Sequence, residues 1–335
     1  MKGQVEVHRL ACPGLSGNAL GDPVERPCVV YLPPGYAGSQ ERYPVVLFLH
    51  AFLGSALGWL NVSPFSATVP ERLDQLISVE GLPPCIAIFP DGWTALGGSQ
   101  WANSAASGRY RDAVVHDVLG WVDAAFRTVR GREARAVVGR SSGGFGCWQL
   151  VRHHPEVFGH LAAHSGDAYF EYCFLPDFPK AAGSLLRAGG VDGWWRSFLV
   201  RTRETKMGGD DHAVVNALAM AAAFSPQAGE PLGLELPFAP ETGAIRPAVW
   251  ERWLAEDPVR FVAQDARPFL SLKTLFIDCG TRDEFGLRWG ARMLARTLSE
   301  AGAQVTHEEY EDGHMGTSYR FDRSLRLLLP RLARS

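Results

Sequence analysis

Short apolar runs recur along the chain, each closed by turn-forming residues: VEVHRL (5–10), PCVVYL (27–32), VVLFLH (45–50), CIAIF (85–89), ARAVV (134–138), HLAAH (160–164), TLFIDC (274–279) and QVTHEEY (304–310). Runs this short and this rich in β-branched residues predict strands. Between the later runs, apolar residues fall at helical spacing, as in Tyr110, Val114, Val118, Val122 and Phe126, or Trp289, Met293 and Leu298. Strands alternating with helices predict a largely parallel central sheet with helices on both faces. The first two runs are joined instead by a stretch rich in Gly, Pro and Asn, which predicts an antiparallel N-terminal edge leading into the parallel strands.

The alternation breaks at about 168–267. No clear strand occurs there, and helix-like and Gly/Pro-rich segments carry Trp194, Trp195, Phe198, Trp250 and Trp253. The expectation is a single α/β domain over 1–335 with a cap-like insertion of helices and loops, whose tryptophans either form the cap's own core or line an acyl or aryl pocket.

Composition narrows the function classes. The chain has 335 residues, 46% of them apolar and 21% charged, which is ordinary for a globular protein with a large core. A formal net charge of −3 offers no footprint for nucleic acid or an anionic membrane. The opening MKGQVEVHRLACPG holds no signal-like apolar core, and no run approaches the ~20 residues needed to span a bilayer. A soluble, cytoplasmic protein with no nucleic-acid or membrane partner is expected. Cys12, Cys28, Cys85, Cys147, Cys173 and Cys279 lie far apart with no CxxC pair, so buried free thiols are expected. No HExxH motif or tight His/Cys cluster supports a catalytic metal, and no cofactor is expected.

The stretch that carries chemistry is VVGRSSGGFG, where a strand-like run meets a turn of two serines and three glycines before a helical pattern from Phe145 to Arg152. Neither GxxxxGK[ST] nor GxGxxG occurs here, which argues against a phosphate cradle. Strand, sharp turn and helix is the order of a nucleophile elbow. An elbow brings the residues two before and two after the nucleophile together and leaves no room for side chains. For Ser141 those neighbours are Gly139 and Gly143; for Ser142 they would be Arg140 and Gly144. Ser141 is therefore the candidate nucleophile, and Ser142 a backbone N–H donor to an oxyanion.

A serine hydroxyl needs a histidine to take its proton and a carboxylate to hold that histidine in one tautomer. Asp283 stands in the turn after TLFIDC, where catalytic groups of α/β sheets collect. Glu284 is the next candidate, and Asp278, within the strand, reads as buried structure. His314 follows the last strand between Gly313 and Met315-Gly316 on a loop and is the candidate base. His153, His154, His164 and His307 read as structural. The second oxyanion donor is assigned to the N–H of Phe52 in the loop after VVLFLH, with Leu53 as the alternative, and His50 is expected to shape that loop. Trp101, Asn103 and Asp167 follow other strands and are candidate substrate contacts.

Together YPVVLFLHAF, IFPDGW with GGSQWANS, VVGRSSGGFG, IDCGTRDEF and YEDGHMG resemble the putative-esterase branch of the α/β-hydrolases, which includes feruloyl esterases, S-formylglutathione hydrolases, enterochelin esterases and mycolyltransferases. The resemblance covers 26–165 and 270–330. It implies an α/β-hydrolase fold, Ser141, Asp283 and His314 as a triad, and cofactor-free serine hydrolysis of a small-molecule carboxylic ester, an aryl ester or thioester among the options. An acyltransferase, a serine peptidase and a non-catalytic binding protein on the same fold are the alternatives. The chain departs from the family in having His50-Ala51 where His-Gly is usual, and in the length of its insertion.

Overall fold

The computed structural model describes residues 1–334. All eight predicted runs form strands: β1 (Gln4–Ala11), β2 (Glu25–Leu32), β3 (Val45–Leu49), β4 (Ile86–Pro90), β5 (Arg135–Arg140), β6 (His160–His164), β7 (Thr274–Gly280) and β8 (Val305–Tyr310). They make one sheet in the order β1-β2-β4-β3-β5-β6-β7-β8. β2 runs antiparallel to both β1 and β4, and every other neighbouring pair is parallel. The expected antiparallel edge is therefore present.

Side chains alternate between two cores. Val45, Leu47, Leu49 and Val137 face one side of the sheet; Val46, Phe48, Ala136 and Val138 face the other. The second side is covered by α1 (Val69–Ser78) and by a C-terminal helix at Arg320–Leu328, through Leu73, Leu76, Phe321, Leu325 and Leu328. The first is covered by α2 (Ser142–His153), by the helical stretch beginning at Tyr110, and by Leu287–Glu300. Burial of both faces explains why the parallel strands read as continuous apolar runs.

The helix Leu287–Glu300 corrects one expectation. Trp289 and Met293 do not face the core: each is 37% exposed, and the guanidinium groups of Arg288 and Arg292 lie against the Trp289 ring at 4.6 and 5.1 Å. The buried stripe is Leu287, Gly290, Ala291, Leu294, Ala295 and Leu298. Close approach requires small residues there, since a Cβ at Gly290 would come within 2.7 Å of Ala168. Large apolar residues therefore misreported the face.

Residues 168–267 contain the helices α3 (Phe178–Arg187), α4 (Val191–Glu204), α5 (Asp211–Phe224) and α6 (Pro247–Leu254). Trp250 and Trp253 pack with Phe178, Phe174 and Phe224, and Trp194 stacks on Phe198. These tryptophans fill the segment's own interior. All six cysteines are free and buried. Among the described residues, no helix is long and apolar enough to cross a membrane.

The strand ends are in register: Leu49 lies beside Gly139, Arg140 beside His164, His164 beside Asp278, and Asp278 beside Glu308. Loops leaving these carboxyl ends must therefore meet. A buried network fixes the rim beneath them. Asp278 bonds His164 Nδ1 at 2.8 Å and Arg320 Nε at 2.8 Å, while His164 Nε2 meets Ser324 Oγ at 2.9 Å. Asp278→Ala would leave the buried His164 imidazole without its acceptor and the Arg320 guanidinium with Glu308 alone. It is expected to cost about 3–5 kcal/mol in urea unfolding, and a loss below about 1 kcal/mol would contradict this role for the network.

Candidate active site

The turn after β5 is strained at one residue. Ser141 has φ 57° and ψ −128°, and α2 starts at Ser142. A Cβ on Gly139 would fall 2.2 Å from the carbonyl oxygen of Gly143, and one on Gly143 would fall 2.1 Å from that of Leu49. Both spaces are already filled by backbone. Glycine at 139 and 143 is thus what allows Ser141 to project from the sheet's rim, as the spacing predicted.

His314 meets this serine from the loop after β8. Its Nε2 is 3.0 Å from Ser141 Oγ and its Nδ1 is 2.8 Å from Asp283 Oδ2. A carboxylate can only accept, so Nδ1 carries the proton and Nε2 is left to take one from serine. The other oxygen of Asp283 accepts the N–H of Phe285 at 3.0 Å, which fixes the carboxylate's orientation. Glu284, the alternative acid, does not touch the imidazole; its Oε2 accepts the backbone N–H of His314 at 2.7 Å and so holds the loop. The Phe285 ring stands edge-on to the imidazole at 4.8 Å.

Two backbone N–H groups near Ser141 have no acceptor among the described residues. Ser142, as the first residue of α2, has an N–H with no intrahelical acceptor. The N–H of Phe52 makes no bond to protein among the described residues, whereas that of Leu53 is committed to Gly97 O at 2.9 Å. Phe52 and Leu53 are thereby distinguished. His50 does shape this loop: its Nε2 accepts the N–H of Gly92 at 2.8 Å and its Nδ1–H donates to Ala51 O at 2.9 Å. Burial holds its pKa below the usual histidine range, which keeps it neutral. The positive φ of the loop falls on Leu53, 61°, so alanine at 51 is accommodated without strain.

The cleft above the serine has a volume of about 570 Å³. Phe52, Asp167, Phe174, His212, Asn216 and Phe285 are among its walls. Two predicted contacts are absent from it. Trp101 is 2% exposed, donates its Nε1–H to His50 O at 3.1 Å and fills space that Gly92 and Gly146 leave open. Asn103 is bonded to Asp112 at 2.7 Å in a small ribbon. Both residues support the rim instead of lining it. His212 and Asn216 went unnoticed in the sequence; they are one helical turn apart on α5 and gave no signal beyond that spacing.

Asp167 does face the cleft. Its Oδ1 lies 3.4 Å from Ser141 Oγ and its Oδ2 accepts from Gln100 Nε2 at 3.2 Å. Burial pushes its carboxyl up to about 6. Among the described residues, no group of three or more His, Cys, Asp or Glu side chains is placed to hold a metal ion.

A sequence model of the esterase family, described as "Putative esterase", matches residues 20–322. The chain belongs to this family. Within it, the chain is 27% identical over 144 residues to an endo-1,4-beta-xylanase/feruloyl esterase of Xylanibacter ruminicola, a match covering 42% of this chain and 19% of that protein. It is 29% identical over 171 residues to an esterase of Mycobacterium tuberculosis, covering 48% of this chain and 34% of that one. The chain thus matches only about a fifth to a third of the length of these curated relatives. A solved ferulic acid esterase superposes with a TM-score of 0.63 at 16% identity, covering 99% of this chain and 98% of that one. An S-formylglutathione hydrolase from Agrobacterium tumefaciens gives 0.59 at 16% identity, covering 99% and 96%. These likenesses establish the α/β-hydrolase fold.

The raised Asp167 carboxyl has a consequence for stability. At Asp167 the folded chain holds a proton more tightly than the unfolded one between about pH 4 and 6, so this residue's contribution falls as pH rises through that window. Above pH 6 the buried carboxylate is a standing cost of about 3 kcal/mol. Asp167→Asn is expected to be the more stable protein at pH 8 in urea unfolding, with the difference shrinking as the pH is lowered towards 4; a difference independent of pH would contradict this.

Proposed function

We propose that the protein is a serine hydrolase of carboxylic esters, with Ser141 as nucleophile, His314 as general base and Asp283 as the carboxylate that orients it. The observation that carries this reading is the bridge of His314 between Ser141 Oγ and Asp283 Oδ2, at 3.0 and 2.8 Å, on the floor of a cleft. Family membership supports the same chemistry.

His314 Nε2 accepts the serine proton as Oγ attacks the ester carbonyl. The carbonyl oxygen becomes an oxyanion, which the N–H groups of Ser142 and Phe52 stabilise, and Asp283 stabilises the imidazolium. The imidazolium then gives its proton to the departing alcohol or thiol, leaving an acyl-enzyme. Water, deprotonated by the same histidine, attacks that ester and releases the acid, and the proton returns to Oγ. Residues 168–267 act as a fixed cap that supplies Phe174, His212 and Asn216 to the substrate wall. Aryl esters and thioesters fit a wall in which Phe52, Phe174 and Phe285 supply aromatic faces. The six free thiols support a reducing, cytoplasmic setting.

Ser141→Ala is expected to lower turnover of p-nitrophenyl esters about 10⁴-fold or more and to abolish labelling by a fluorophosphonate probe, without lowering the unfolding midpoint. Asp283→Asn is expected to lose about 10⁴-fold in kcat. Near-wild-type turnover by the Ser141 variant would falsify the assignment. Product analysis with added alcohols tests transfer: ester products in place of free acid would make the protein an acyltransferase.

A further inference from the structure

Asp167 has no part in the proton relay, yet its carboxyl is aimed at the nucleophile. It is 5% exposed, lines the cleft, and is paired with no arginine or lysine among the described residues. Among the described residues its one side-chain donor is Gln100, at 3.2 Å to Oδ2. The Ser141 oxygen lies 3.4 Å from Oδ1, the long edge of a hydrogen bond, and its single hydrogen serves His314 Nε2. Gln100 is held at φ 53°, a left-handed conformation costly for a side chain of this kind, and its own Oε1 has no partner. The backbone is thus strained around a buried carboxyl that the fold itself leaves short of donors. Asn216, also in the cleft wall, is buried too, and its amide makes no side-chain hydrogen bond among the described residues.

We infer that Asp167 determines specificity by receiving a hydrogen-bond donor, a hydroxyl or an ammonium, that the substrate carries beside its scissile carbonyl. This rests on the reading of Ser141 as the ester-cleaving nucleophile. The single hydrogen of Ser141 points to His314 Nε2 and leaves with it, so Asp167 Oδ1, 3.4 Å from Oγ, has no serine donor, and the bound substrate excludes water. When Oγ bonds to the carbonyl carbon, a substituent on the carbon adjoining it, or its counterpart on the alcohol side, comes within reach of Oδ1. A donor there supplies the missing bond. A plain alkyl group leaves the carboxyl bare, and an anionic one is repelled. A site that hydrogen-bonds its substrate discriminates against the analogue lacking that group, because the site's own polar group is then left unpaired.

The test measures kcat/KM by pH-stat for wild type, Asp167→Asn and Asp167→Ala on four esters: ethyl propanoate, ethyl 2-hydroxypropanoate, ethyl 2-aminopropanoate and 2-hydroxyethyl propanoate. Wild type is expected to favour at least one donor-bearing ester over ethyl propanoate by about tenfold or more. In Asp167→Ala the ratio should fall towards one. In Asp167→Asn the amine preference should fall further than the hydroxyl preference, because an amide oxygen still accepts a bond but carries no charge. The second and fourth esters distinguish a donor on the acyl side from one on the alcohol side. No preference in wild type, or a preference equal in all three proteins, would overturn the assignment. Wild-type hydrolysis of ethyl propanoate and fluorophosphonate labelling report on the esterase reading separately: if both fail, that reading fails, and if both succeed while the ratios stay fixed, only the role of Asp167 does.

Discussion

The carbonyl of Gly143 occupies the place that a side chain at residue 139 would need, and the carbonyl of Leu49 does the same to residue 143. This mutual exclusion at the end of β5 is what the rest of the site depends on. It lets the chain reverse within one residue, placing the strain on Ser141 and beginning α2 immediately after it. The same tight turn leaves the N–H of Ser142 without a helical acceptor. One steric constraint therefore positions both the hydroxyl and one of the donors that would face an oxyanion.

A second Ser-His-Asp arrangement clarifies why the first is the candidate site. Ser324, His164 and Asp278 are linked at 2.9 and 2.8 Å, distances close to those of Ser141, His314 and Asp283. All three are buried, and Ser324 Oγ also donates to Phe321 O. No substrate reaches that hydroxyl, and the Arg320 guanidinium shares the carboxylate. Hydrogen-bond distances alone do not distinguish the two serines; only Ser141 stands on an elbow and lines a cleft. The buried set ties β6 and β7 to the C-terminal helix and thereby fixes the rim from which the Asp283 and His314 loops depart.

Much of this was legible in the sequence for physical reasons. Strands buried on both faces leave continuous apolar runs, so the six inner strands could be read, and the half-exposed edges β1 and β8 showed as short runs bounded by turn residues. Residues that need a special backbone leave glycines at fixed offsets, so Gly139 and Gly143 pointed to Ser141 over Ser142. Groups fixed by a single loop position, such as Asp283 and His314, followed from strand order. What could not be read depended on contacts between distant segments. Trp101 and Asn103 follow the right strand but turn inward, because Gly92 and Gly146 leave room for the indole and Asp112 captures the amide. Trp289 had the right spacing for a core face, but the helix approaches the sheet too closely for large residues. His212 and Asn216 come from a helix whose placement no local pattern encodes.

That placement is nevertheless firm. Phe145, one turn beyond Ser141 on α2, packs against Phe170 and Phe224 at 6.0 and 5.5 Å, and Phe224 packs against Trp253. The apolar interior of residues 168–267 is therefore continuous with the core beneath α2. Opening this segment as a lid would expose that aromatic interior to water, at a cost of several kcal/mol. The segment is accordingly a fixed wall. Differences in its sequence would alter the wall of the cleft through Phe174, His212 and Asn216, while the strand-end loops that hold Ser141, Asp283 and His314 stay where the sheet register places them.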